Sequence, residues 1–424
     1  MGAGEAIEIG AVRPEELDTM LGIMCESFGL PFDAAREVFY DDPYFAIENK
    51  RVLRVNGQIA SCLTIVEAAC WLGFGVARLG GIAGVATAPA LRRRGYAGCL
   101  LAATLRTLDE RGYALSALFP FAYDYYRKFG WELAGFAHRY LTAPANLFAY
   151  PEARYVRLAR PEDIPHLQRL YDAASRGQTL RCLRDARRWQ YILDHIKQRV
   201  VYSPDKSTVE GYLLYEFRPG TLGGEEGMVG GMPLPLSLRV LEMCVGTPAA
   251  RRGLVGHLAA QTRVGCIEYA STWEDLADGG LLQPGIASGK DSLASVDIVP
   301  SVMTRVINLG RALEALRPNW AGFHGTLALV MHDPLSASGT AAALIVGTGS
   351  GKPQVREVEA AALSARPDRV EGEVGAWSQV IVGRLSGEDA CALGLLRAST
   401  PRALERMARL FPRRTPFLPA PDHF

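Results

Sequence analysis

The stretch Val85-Ala-Thr-Ala-Pro-Ala-Leu-Arg92-Arg93-Arg94-Gly95-Tyr96-Ala97-Gly98 constrains the fold more than any other part of this chain. An apolar run from Leu79 to Val85 leads into it. Ala97, Leu100, Leu101, Leu105 and Leu108 follow at helical spacing. The pattern predicts a strand that ends in a glycine-containing turn and enters a helix. Such a junction receives anions, because the first helical N–H groups lack partners within the helix and the dipole end there is positive. Gly95 and Ala97 keep bulk away, so the backbone can approach a pyrophosphate closely. The arginines add charge-assisted contacts.

The residues beyond this helix carry a second pattern. Gly112 stops the helix, Ala114–Phe119 reads as an apolar strand, and Tyr123-Asp-Tyr-Tyr126-Arg-Lys-Phe129-Gly130-Trp131 comes next. Arg92-x-x-Gly95-x-Ala97 after a strand resembles the acetyl-CoA motif of the GNAT (Gcn5-related) N-acetyltransferases. Tyr126-x-x-Phe129-Gly130-Trp131 resembles that family's second signature. The resemblance implies that acetyl-CoA lies along Val85, Ala86, Thr87, Arg92, Arg93, Arg94, Gly95, Tyr96, Ala97 and Gly98. It also implies that Tyr126 is the general acid; Tyr123, on the same helical face, is its rival. The chain has neither a Walker lysine-Ser/Thr pair nor G-x-G-x-x-G.

The flanking segments predict a complete α/β unit over residues 1–148. Residues 6–13 read as a strand, and Pro14 opens a helix that runs to about Phe28, with acids in its first turn. Asp41-Asp-Pro43 reads as a loop. Arg51–Val55 and Gln58–Glu67 flank Asn56-Gly57, which suits a type I′ hairpin. Ala68–Ala77 and Arg78–Thr87 read as a further strand pair.

The unit then repeats. Tyr155-Val-Arg-Leu-Ala-Arg-Pro161-Glu-Asp echoes Ile7-Glu-Ile-Gly-Ala-Val-Arg-Pro14-Glu-Glu. Thr247-Pro-Ala-Ala-Arg251-Arg252-Gly253 echoes Thr87 to Gly95. The second copy, residues 149–297, has no counterpart of Tyr126-x-x-Phe-Gly-Trp and reads as degenerate. Gly223–Gly231, Asp278–Gly280 and Pro284–Gly289 read as loops. Residues 298–424 predict a third, small α/β unit. It begins with an amphipathic helix, Ser301–Leu316, and continues with strands at Gly325–His332, Ala342–Gly347 and Arg356–Glu359. Ala376–Gly383 reads as a helix or buried segment, and Asp389–Leu396 and Pro401–Phe411 as helices.

Two tandem GNAT units, the second degenerate, with a small α/β unit and a short tail after them, resemble the Eis (enhanced intracellular survival) acetyltransferases. That resemblance implies a sterol-carrier-protein-like third domain, a homohexamer and an amine acceptor: an aminoglycoside, a polyamine or a lysine side chain. It also implies that the carboxyl group of Phe424 is the general base. The residues give their own reason to look there, since Gly80–Thr87, the strand before the turn, has no Asp, Glu or His. Phe417-Leu-Pro-Ala-Pro-Asp-His-Phe424 is stiffened by proline and ends apolar. Glu26, Phe28, Asp33 and His423 are the acceptor-binding candidates, with Phe32, Phe39, Asp41 and Asp42 interleaved among the acids. An alternative from another class is an acyl-CoA-sensing or lipid-binding protein on the same scaffold.

Composition excludes other classes. The net charge of +1 gives no electrostatic footprint for nucleic acid or a membrane surface. The eight cysteines are scattered, without C-x-x-C pairs or a histidine cluster, so neither a metal site nor a disulfide framework is expected. No apolar run reaches the ~20 residues of a spanning helix, and no secretory leader is read, so the expected location is cytoplasmic.

Overall fold

In the computed structural model, Asn56 and Gly57 take φ of 51° and 83°, the left-handed pair that a type I′ turn requires. They close Lys50–Val55 (β2) onto Gln58–Leu72 (β3). The structure describes residues 5–222, 235–272, 294–363 and 366–424, and the backbone of short strand pieces between 225 and 233. The expected break at Ala68 does not occur. β3 runs on to Leu72, and the chain reverses at Gly73, φ 64°, into Gly75–Thr87 (β4). The cause is tertiary: the Asn319 side chain fills the space a Cβ on Gly73 would need and accepts the Phe74 N–H at 3.0 Å.

Ile7–Ala11 (β1) lies on the outer side of β2, and Leu17–Phe28 (α1) comes after it. A second helix, Phe32–Tyr40 (α2), which was not anticipated, precedes the loop expected at Asp41–Pro43. Phe32, Ala35 and Phe39 share one face of it, and Asp33 sits in its first turn, where the dipole favours an acid. After the arginine turn comes Tyr96–Glu110 (α3), then Leu115–Leu118 (β5) and the short helix Tyr123–Arg127 (α4). The first sheet runs β1-β2-β3-β4-β5 and continues through Met303–Val306 to Glu132–Leu133 (β6).

Met303–Val306 corrects the helix expected over Ser301–Leu316. Its ladder with β5, from Met303↔Leu118 to Val306↔Leu115, outweighs helical periodicity. The helix starts only at Leu309, where the Asn308 side chain accepts the Arg311 N–H at 3.0 Å.

The second sheet, in order, is Ala294–Pro300, Phe136–Thr142 (β7), Val264–Ser271, Leu236–Val245, Gly211–Arg218 (β11), Gln198–Tyr202 (β10) and Val156–Leu158 (β8). Thr179–Cys182 (β9) leaves this unit and pairs with the far end of β3, Cys70 against Cys182 and Leu72 against Thr179. Strands are thus exchanged across positions 148 and 298. Of the three loop expectations, Asp278–Gly280 and Pro284–Gly289 lie outside the described residues, as does part of Gly223–Gly231.

The third sheet is Gln354–Glu357, Thr340–Thr348, His324–His332, Arg369–Glu373 and Leu396–Ala398. Arg369–Glu373 was not anticipated. The helix expected over Asp389–Leu396 stops at Ala392, and Leu396 begins a strand beyond Gly394, φ 71°. One apolar core joins this unit to the first: Leu79 and Ala117 share a cluster with Trp320, Trp377 and Leu418. The C-terminal segment is thereby fixed against the first unit.

Candidate active site

β4 and β5 pair in parallel only from Leu79↔Leu115 to Ile82↔Leu118. Beyond that point β4 continues to Thr87, whereas the other chain turns off at Phe119-Pro120 toward α4. The strands part, and the edge of β4 from Ala83 to Thr87 faces the opening. A register shift and Gly84, φ 60°, bulge β4 there. Ser61 Oγ ties the bulged end down by donating to the Ala86 carbonyl at 2.7 Å.

The turn after β4 matches an anion cradle. Gly95, φ 87°, is the N-cap of α3, and nothing lies within 4 Å of where its Cβ would be. Arg92 is held over the turn by Nε donating to the Thr87 carbonyl at 3.2 Å, and Arg93 and Arg94 are exposed beside it. Ala97 and Gly98 occupy the first turn of α3, and a Cβ on Gly98 would lie 3.0 Å from the Phe129 ring. Tyr96 points inward, its hydroxyl donating to Glu5 at 2.9 Å. The repeat of this turn differs. Gly253 lies inside the helix Pro248–Ala259, and a Cβ there would sit 2.3 Å from the Tyr202 ring. Thr247 caps this helix, accepting the Ala250 N–H, and donates to Glu210 at 2.8 Å. Space that is open in the first copy is filled in the second.

Tyr126 is 2% exposed on α4, packed against Phe121, Tyr125 and Trp131 at ring-centre distances of 5.2, 5.3 and 6.3 Å. Burial pushes its phenol well above the ordinary tyrosine range, so it holds its proton at neutral pH. Tyr123 is half-buried in the same cluster.

The tail returns to the place where β4 and β5 separate. A Cβ on Gly81 would lie 2.6 Å from the Phe424 ring, so glycine there makes room for it. Phe119 meets Phe424 at 5.9 Å and His423 at 4.3 Å. His423 Nε2 donates to the Leu418 carbonyl at 3.0 Å, and burial lowers its pKa, so the imidazole is neutral at pH 7. The second unit supplies the anchor. Arg184 Nη2 lies 2.8 Å from Asp422, and the same guanidinium holds Glu242 at 2.7 and 2.8 Å. Tyr171 donates to Asp422 and Tyr212 to Glu242.

Phe424 and His423 line a cavity of about 340 Å³ together with Phe39, Asp42, Lys50 and Tyr191. It adjoins a wider groove of about 1020 Å³ that shares Tyr44, Phe45 and Glu67 with it but does not reach β4 beyond Arg78. Of the four acceptor candidates, only His423 lines the cavity. Glu26 is exposed on α1, Phe28 packs at a tilt against Phe39 with ring centres 5.6 Å apart, and Asp33 lies in a separate depression with Arg36 and Tyr40. Lys50, Arg188 and Tyr191 were missed. Lys50 begins β2, and nothing in the run Lys50-Arg-Val-Leu-Arg-Val55 reveals that it is 3% exposed.

Two stretches of the chain match known families. Residues 8–134 match an acetyltransferase (GNAT) domain, and residues 181–282 match a second family of the same description. The chain carries two GNAT acetyltransferase domains in tandem, and the expected α/β fold with such a tandem holds. No curated protein matches the chain. The structure is similar over nearly its whole length to a GCN5-related N-acetyltransferase from Anabaena variabilis, with TM-score 0.80 and 20% identity, covering 99% of this chain and 100% of that one. A probable N-acyltransferase from Enterococcus faecalis gives 0.78 and 18%, and Eis1 from Mycobacterium abscessus 0.70 and 18%, each over 99% of this chain and 100% of the other. At these identities the likeness is one of fold. Among the described residues no group of three His, Cys, Asp or Glu is placed to hold a metal ion, and no helix is long and apolar enough to cross a membrane.

Proposed function

Starting from tandem acetyltransferase domains, we propose that this chain transfers an acetyl group from acetyl-CoA to a primary amine within one ternary complex. The observation that carries the reading is the seat of Phe424 against Gly81, where β4 leaves β5 and β4 itself carries no Asp, Glu or His. The turn at Gly95 and the first N–H groups of α3 suit the pyrophosphate of acetyl-CoA, which supplies the thioester. Backbone N–H groups near Val85 and Thr87 hold the pantetheine arm and polarise the carbonyl. The Phe424 carboxyl group, which the proposal requires to be free, takes the proton of the attacking amine, directly or through one water. The thiolate leaves with a proton from Tyr126.

The resemblance extends the proposal to a sterol-carrier-type unit over 298–424 after units at 1–148 and 149–297, and to a cytoplasmic homohexamer. Incubation with acetyl-CoA and a panel of primary amines, read by mass detection, tests the reaction. N-acetylated product with equimolar CoA supports it. Acetyl-CoA binding without product from any amine contradicts it.

A further inference from the structure

Resting on that reading, we propose that the acceptor is a compact amine with an aromatic or branched apolar body that also carries a carboxylate, and that Lys50 receives this carboxylate. The cavity beside Phe424 is about 340 Å³, near the low end of the ~300–1,000 Å³ typical of ligand sites. Phe39, Phe45, Ile65, Val66 and Tyr191 contribute to its wall, which suits one ring-sized body rather than several linked sugars.

The charges point the same way. Lys50 donates to the Phe39 carbonyl at 2.5 Å and to Thr64 Oγ1 at 3.3 Å, with the Tyr40 and Phe45 rings at 5.0 and 5.1 Å. These partners are all neutral, and among the described residues no carboxylate forms an ion pair with it. Asp42 favours the Lys50 charge through space but makes no ion pair with it. A buried cation with no direct counter-ion is costly, and an incoming carboxylate relieves that cost with a charge-assisted hydrogen bond. Burial lowers the Lys50 pKa to about 8, so the group remains mostly charged at neutral pH.

The acids of the cavity are engaged elsewhere. Asp42 accepts the Tyr44 N–H at 2.7 Å and faces Arg188 at 3.7 Å. Glu67 accepts from Asn49 at 3.1 Å and faces Arg78 at 4.0 Å. That leaves the Phe424 carboxyl group for an ammonium and Lys50 for an anion. The register sets them on one row: Lys50 opposes Thr64, Thr64 opposes Ala83, and Gly81, beneath Phe424, lies two residues further along the same face. The Lys50 and Ala83 backbones are thus two strand spacings apart, about 10 Å, with the cavity above them. A polycation would instead bring ammonium groups against Lys50 and Arg188.

Four amines test this with acetyl-CoA: phenylalanine, phenethylamine (the same body without the carboxylate), spermidine and kanamycin. The wild-type protein should favour phenylalanine over phenethylamine in kcat/KM by about tenfold or more, the worth of one charge-assisted contact. Lys50→Met should raise KM for phenylalanine by a similar factor, leave kcat nearly unchanged and abolish the preference; Lys50→Arg should retain it. Preference of the wild type for phenethylamine, spermidine or kanamycin overturns the inference while leaving the transferase reading intact. An equal loss on both aromatic amines in Lys50→Met also overturns it, since that marks a structural lysine. Absence of product from every amine overturns the transferase reading, and this inference with it. The wild-type comparison decides even where a variant fails to fold.

Discussion

The guanidinium of Arg184 lies 2.8 Å from the carboxylate of Asp422, two residues before Phe424, and both side chains are buried. Arg184 sits just beyond β9, which pairs with β3 of the first unit. The Thr179 carbonyl at the start of β9 also accepts the Phe417 N–H at 3.0 Å. One short segment of the second unit therefore grips both the first sheet and the tail. Removing one partner of such a buried pair costs about 3–5 kcal/mol, because the other charge is stranded. Arg184→Met should lower Tm and, in protein still folded at assay temperature, reduce kcat with the acetyl-CoA Kd unchanged. Melting curves with calorimetry check this; a stable, fully active variant would show that the anchor is dispensable.

Tyr126→Phe should lower kcat by about 10²–10⁴, the usual worth of a general acid, without weakening acetyl-CoA binding. Tyr123→Phe is the control. Steady-state kinetics on both variants assign the role, and loss confined to Tyr123→Phe would move the assignment.

Gly95→Val should weaken acetyl-CoA binding while the fold persists. The new side chain would project into space left open in this structure, at φ 87°, a conformation that costs a non-glycine residue about 1–3 kcal/mol. Calorimetric titration of the folded variant measures the change; unaltered affinity would remove the turn from the site.

The parts legible in the sequence were those with local causes. Asn56-Gly57 specifies its turn by its own φ preferences, and the junction from Leu79 to Leu108 carries both strand and helix periods. Helix Phe32–Tyr40 was not anticipated, although it too has a local signal, the spacing of Phe32, Ala35 and Phe39. Met303–Val306 and β9 are strands through partners far away in the chain. The tail anchor is the extreme case: Arg184 is 58 residues from Glu242 and 238 from Asp422, and no spacing rule connects them. The burial of Lys50 likewise depends on where α2 and the tail pack.

Acid stability should depend on Glu16. Its hydrogen bond to the buried Arg54 guanidinium lowers its pKa from 4.5 to about 2. A carboxyl with a depressed folded-state pKa contributes stability above its unfolded value, and that contribution is lost as pH falls through the folded value. The loss therefore runs between pH 4.5 and about 2. Glu16→Gln should be less stable at pH 7, and the difference from wild type should shrink across that window. Denaturant titrations at several pH values measure it; a gap that does not change with pH would contradict the assignment.

The central claim is that the carboxyl group of Phe424 accepts the proton of the attacking amine. The most direct measurement compares protein ending in a free Phe424 carboxyl group with protein amidated there by ligation, under the same acetyl-CoA and amine. The account predicts that amidation lowers kcat by about 10²–10⁴ and leaves the acetyl-CoA Kd unchanged. Equal kcat for the two forms would contradict it.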